Sequence, residues 1–137
     1  MRRAVFAFMF LCGLPLAHAG EAEVKAAQDI IQRQLEAFLA DDGTLAYSYA
    51  APNVKQIFPT VDSFMSMVTN GYKPVHRPQN YAFGKFQETD ASSIVQQVLI
   101  VGPDGKDYEA VYTLQRQPDG SWQITGCSLR ASSSLST

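Results

Sequence analysis

Few residues in this chain of 137 are suited to chemistry, and they fall into two groups. His76 stands beside Arg77 on a segment stiffened by Pro74 and Pro78. An imidazole next to a guanidinium can hold a carboxylate or phosphate, and the imidazole alone can move a proton near neutral pH. The plainer reading makes both exposed residues of a connector, because charged and imidazole side chains are mostly found at the surface. The second group is aromatic: Tyr47, Tyr49, Tyr72, Tyr108, Tyr112 and Trp122. Phenol and indole rings around a cavity can orient a flat ligand by stacking and by one hydrogen bond each. On the inner face of a sheet the same rings serve equally well as core. The ligand-binding candidates are therefore Tyr72, His76, Arg77, Tyr108, Tyr112 and Trp122.

Other chemistries are disfavoured by count or by placement. Cys127 with His76 would make a thiolate nucleophile. Strand alternation, however, puts Cys127 on the face opposite Trp122 and Ile124, away from the face expected to meet the helices. As a lone thiol it reads as a small buried hydrophobe. Asp41-Asp42 lacks a patterned third ligand and suits a turn or a helix cap. His76 is the only histidine after residue 18, so no multi-histidine zinc or iron site is expected. Gly-rich phosphate loops and nucleophile elbows do not occur. No cofactor and no metal are expected. The formal charge of −2, without a basic run beyond Arg2-Arg3, argues against nucleic acid and anionic membrane surfaces as partners.

The amino terminus reads as an address. Met1-Arg2-Arg3 precedes an apolar run from Ala4 to Ala17, which ends in the small-residue pattern Ala17-His18-Ala19. This is a secretory signal peptide over residues 1–19, cleaved between Ala19 and Gly20, and it implies a periplasmic or secreted protein. The run is shorter than the ~20 apolar residues of a bilayer span, so no membrane anchor is expected after cleavage. Cleavage also removes Cys12, leaving Cys127 without an internal disulfide partner.

What remains must position the candidates. Val24, Ala27, Ile31, Leu35 and Phe38 recur at helical spacing between Glu21 and Ala40. Leu45, Ala46, Tyr49 and Ala50 mark a short second helix ended by Pro52, and Asn53 to Phe58 suits one further turn. Thr60 can cap a third helix over Val61 to Thr69, with Asn70-Gly71 as a left-handed stop. From Gly71 the period changes from about 3.6 to 2. Tyr72 to Pro78 reads as an edge strand or extended connector, because its prolines remove ladder donors. Strands follow over Asn80–Glu88, Ile94–Val101, Asp107–Arg116 and Ser121–Leu129, joined by Gly102-Pro103-Asp104-Gly105 and Pro118-Asp119-Gly120 turns. The expected fold is α+β, with N-terminal helices packed on a curved antiparallel sheet of about four strands. It occupies one domain, residues 20–130, with a flexible tail over 131–137.

Three segments, QRQLEAFLADDG (Gln32–Gly43), FPTVDSFMSMV with its trailing GYKPVHRP (Phe58–Pro78), and YTLQRQPDGSWQITGC (Tyr112–Cys127), carry a family resemblance. The chain resembles exported bacterial proteins known as domain of unknown function 4864 (DUF4864). Their fold is similar to the nuclear-transport-factor-2-like or SnoaL-like cone. The wider resemblance implies a pocket between helices and sheet, in a superfamily holding isomerases, cyclases, hydratases and plain binding modules. The acidic base and oxyanion-binding acid of its enzymes match no position here, and a shared fold does not settle function.

The sequence thus favours a non-enzymatic module that binds a small apolar or anionic ligand, or a protein, through the cavity or the open sheet. A homodimer through the sheet would cover the two-sided apolar strand Ile94–Val101. The alternative is an isomerase- or dehydratase-like enzyme with His76 or a buried acid as general base.

Overall fold

A computed structural model describes residues 14–132 of the chain, with side chains from residue 20 onward. The signal segment and the tail fall largely outside these residues. Five helices precede four strands: α1 Leu14–Leu39, α2 Gly43–Ser48, α3 Pro52–Ile57, α4 Val61–Gly71, α5 Lys73–His76, then β1 Asn80–Asp90, β2 Ser93–Val101, β3 Asp107–Arg116 and β4 Trp122–Ala131. The strands form an antiparallel meander in the order β1-β2-β3-β4. The architecture is α+β, with the helices on one face of the sheet.

The apolar stripe of α1 is the spine of the core. Val24, Ala27, Ile31, Leu35 and Phe38 are all buried, as their spacing requires. They meet the inward residues of the sheet, Ile94, Val98, Ile100, Ala110, Leu114 and Ile124. Burying side chains such as Ile31 or Phe38 stabilises the fold by roughly 1.5–3 kcal/mol each before entropy is counted.

Local chemistry sets the helix starts. The Asp42 carboxylate accepts from the Leu45 N–H at 3.1 Å and so caps α2. Thr60 and Ser63 cap α4 reciprocally. The Ser63 N–H donates to Thr60 Oγ1 at 3.0 Å, and the Thr60 N–H donates to Ser63 Oγ at 3.2 Å.

Two sequence expectations do not hold. Gly71 remains helical rather than left-handed; Asp41 is the non-glycine residue with positive φ among those described. Tyr72 to Pro78 is not an extended strand. The Val75 and His76 amides both donate to the Tyr72 carbonyl at 2.9 Å, so the chain turns into α5 at once. Pro74 lies in the first turn of α5, where a missing donor costs nothing. Burial of Val75 in the core gives that turn its anchor.

The sheet is interrupted where side chains need its backbone. Between Phe83 and Phe86, β1 carries an extra residue relative to β2. The fully buried Gln96 of β2 fills the irregularity. Its amide nitrogen donates to the carbonyls of Gly84 at 3.2 Å, Lys85 at 3.3 Å and Gln97 at 2.8 Å. Its oxygen accepts from Gln28 of α1 at 3.0 Å. One side chain therefore joins helix, strand and bulge, and a buried amide is tolerated because all its partners are present. The outer face of the sheet carries a polar line from Gln97 through Glu109 to Arg130, interspersed with apolar residues such as Leu99, which is 45% exposed.

Replacing Gln96 by Leu removes these bonds and leaves the bulge carbonyls unpaired. The variant should lose about 1–3 kcal/mol in urea denaturation. A loss below about 0.5 kcal/mol would show that the bulge holds without its plug.

Candidate functional site

An apolar cavity of about 250 Å³ lies between the helices and the sheet. Phe38 of α1, Phe64 and Val68 of α4, Val75 of α5 and Ile124 of β4 form its hydrocarbon wall. Val54 and Ile57 of α3 close it on the outside, and Ile57 is 69% exposed, so it stands at the mouth.

The cavity depends on a bulge in β4. Thr113 pairs with Gly126, whereas the next residue, Leu114, pairs with Ile124. Thr125 is therefore an extra residue, and it reverses the alternation that follows it. Trp122 and Ile124 face the helices before the bulge, and Cys127 faces the cavity after it. The expectation that Cys127 points away from the helices is thereby corrected. The bulge also exposes backbone that the helical half uses. The Ile124 N–H donates to the Tyr49 carbonyl at 2.9 Å, and the Ala51 N–H donates to the Ile124 carbonyl at 2.8 Å. Asn53 Nδ2 donates to the Thr125 carbonyl at 2.9 Å, and the Tyr72 hydroxyl to the Cys127 carbonyl at 2.9 Å. The free edge of β4 is thus covered from Ile124 to Cys127, which shortens the edge open to edge-to-edge pairing.

The sequence candidates separate. Tyr72 and Tyr112 line the cavity. Trp122 is buried core, its indole N–H donating to Glu23 Oε1 of α1 at 3.1 Å. Tyr108 sits near the β2–β3 turn with its hydroxyl on Asp104 at 2.6 Å. His76 and Arg77 lie outside the cavity wall. The Arg77 guanidinium donates to the Phe38 and His76 carbonyls and pairs with Asp41. It thereby satisfies a carbonyl at the end of α1. The His76 ring meets the Phe38 ring edge-on, with centroids 6.0 Å apart. Gln34, Asn53 and Cys127 are cavity residues that strand and helix periodicity did not single out. Gly126 was the one available signal, since an isolated glycine in a strand often marks a bulge.

Tyr112 is 1% exposed, and among the described residues its hydroxyl makes no hydrogen bond of good geometry. Its one polar neighbour of note is the Cys127 thiol, a weak sulfur acceptor that acts on it both by charge and as a marginal hydrogen-bond contact. Burial raises the Tyr112 ionisation well above the usual phenol range, with Cys127 adding to the effect. Burial likewise raises Tyr72, again with help from Cys127. Cys127 as a whole residue is only half-buried, yet enough protein surrounds its sulfur to push the thiol up to about 12. These groups are neutral at physiological pH, and the thiol is a poor nucleophile. Among the described residues no carboxylate lines the cavity, and no group of three His, Cys, Asp or Glu could hold a metal ion. A broader cleft at the ends of β2 and β3 is walled by hydroxyl and amide groups such as Thr89, Ser93 and Gln115, and holds no buried unpartnered atom.

Residues 20–137 match the family described as Domain of unknown function (DUF4864). Comparison with curated proteins and with solved structures gives no match.

Burial, reinforced by Arg77 and opposed by Asp41, lowers the His76 ionisation below its ordinary value. The unfolded chain, with histidine near 6.5, then binds more protons than the folded one in this range. Stability is full above about pH 6.5 and falls as the pH drops through the lower folded-state value. Urea denaturation from pH 7.5 to 5.5 should show this decline, and His76→Gln should flatten it; equal slopes would remove His76 as the cause.

Proposed function

The chain belongs to the DUF4864 family, a domain of unknown function, and we propose from its site that it is an exported binding protein for a small, largely apolar molecule. The observation that carries this reading is the hydrocarbon-walled cavity of about 250 Å³. A concave, mostly apolar pocket of this size with a few polar groups, open on the α3 side at the junction of helices and sheet, has the form of a small-molecule site. A dry apolar cavity of about 150 Å³ admits a benzene-sized molecule. The larger space here suits one ring with a substituent. Catalysis of the general-base kind finds little support, because His76 stands outside the wall and makes no side-chain hydrogen bond to a tyrosine or an acid.

Met67 lines the cavity, whereas Met65 packs toward Gly43, so methionine methyl signals report occupancy with an internal control. Titration with cumene should move the Met67 methyl resonance more than that of Met65. Val68→Phe should fill the cavity and abolish the shift at a stability cost of about 1–3 kcal/mol. An unresponsive Met67, or a shift that survives Val68→Phe, would overturn the reading.

Export rests on the apolar segment before Ala19 and the small-residue pattern Ala17-His18-Ala19 that ends it. Amino-terminal sequencing of the protein recovered from its host should begin at Gly20. A start at Met1 in the cell interior would count against export.

A further inference from the structure

We infer that the cavity's ligand is uncharged and carries a hydrogen-bond acceptor oxygen, which the Tyr112 hydroxyl receives; this deepens the binding reading above and rests on it. Several other polar groups of the wall are already committed. Tyr72 donates to the Cys127 carbonyl, Asn53 to the Thr125 carbonyl, Gln34 to the Ala46 carbonyl at 3.1 Å, and Thr125 to Thr113 Oγ1 at 2.8 Å. Among the described residues the Tyr112 O–H has no oxygen or nitrogen partner, only the weak acceptor sulfur of Cys127 beside it, and it is shut off from bulk water. Nearly all buried polar atoms find a partner, and a phenol O–H is a good donor. A ligand oxygen at that end of the cavity supplies the bond that the fold leaves unmade.

Charge is excluded by the same wall. Among the described residues no Lys, Arg, His, Asp or Glu side chain lines it. Arg77, outside the wall, is engaged by the Phe38 carbonyl and by Asp41, and Lys55 of α3 sits over the Tyr47 ring, 5.2 Å from its centroid. An ionised ligand would be desolvated without a counter-charge, which is far more costly than burying a neutral carbonyl. Tyr72, Tyr112 and Cys127 are all held protonated by burial and add no charge of their own. The chemistry that fits is a neutral ketone, ester or ether on a compact hydrocarbon frame.

Three probes of matched shape separate the possibilities: cumene, acetophenone and benzoate, each titrated at pH 7 against the Met67 methyl signal. Acetophenone should bind about threefold to tenfold more tightly than cumene, the value of one net hydrogen bond, and benzoate should bind most weakly. Tyr112→Phe should abolish the acetophenone advantage and leave cumene binding unchanged. Without ligand, the same variant should be at least as stable as the parent, because it loses a buried hydroxyl whose one polar neighbour is a weak thiol acceptor. Acetophenone no tighter than cumene, an advantage that survives Tyr112→Phe, tightest binding of benzoate, or clear destabilisation of the free variant would each overturn the inference. If cumene binds with no preference for oxygen, the binding reading stands and this one falls. If no probe moves Met67, both fall.

Discussion

A single inserted residue in β4, Thr125, sets the geometry on which the rest of the molecule depends. In a strand without it, Ile124 and Cys127 would lie on opposite faces. With it, both face the helices, and the backbone around them is turned outward far enough to be used. The Ile124 amide and carbonyl take up the segment between α2 and α3, and the Thr125 carbonyl takes the Asn53 amide. The bulge therefore fixes where α3 starts, how β4 is shielded, and which thiol reaches the cavity.

Around that site the molecule keeps charge and hydrocarbon apart. The ionised groups nearest the cavity are spent on one another and on the end of α1, through Arg77, Asp41 and the Phe38 carbonyl. On the opposite side of the sheet, Glu109 is held below its ordinary ionisation range by its hydrogen bonds to Gln97 and Arg130, so its charge belongs to the outer surface. The buried polar groups that face inward are tyrosines, amides and a thiol, and burial keeps the ionisable ones neutral. The interior is thus wet in composition at a few atoms and uncharged throughout the cavity wall.

Periodicity revealed the parts of the fold that repeat. The α1 stripe, the Thr60 cap and the meander were legible because each is set by spacing or by a residue of definite preference. The bulges at Gly84-Lys85 and Thr125 were not, since a reader of alternation has no reason to insert a residue. Their effect reaches furthest at Cys127, which alternation places on the wrong face. Tyr72 to Pro78 departs from its extended expectation for a different reason. Two prolines suggest extended chain, yet Pro74 falls in the first turn of a helix, the one position that welcomes it. Of the six candidate residues, Tyr72 and Tyr112 meet at the cavity. His76, Arg77, Tyr108 and Trp122 do not, because aromatic or basic character alone does not say whether a residue faces a void, a neighbour or solvent.

No residue of the α3 helix is fully buried; Val54 is half-buried against the core. It is held at its start by the bulge and at its end by the Tyr47 hydroxyl donating to the Phe58 carbonyl at 2.6 Å. A segment attached by a few backbone and side-chain bonds, with little apolar burial behind them, belongs to the least protected part of a structure. Its amides should exchange with solvent sooner than those of the sheet. Entry to the cavity would then need only the local opening of one short helix rather than unfolding of the whole.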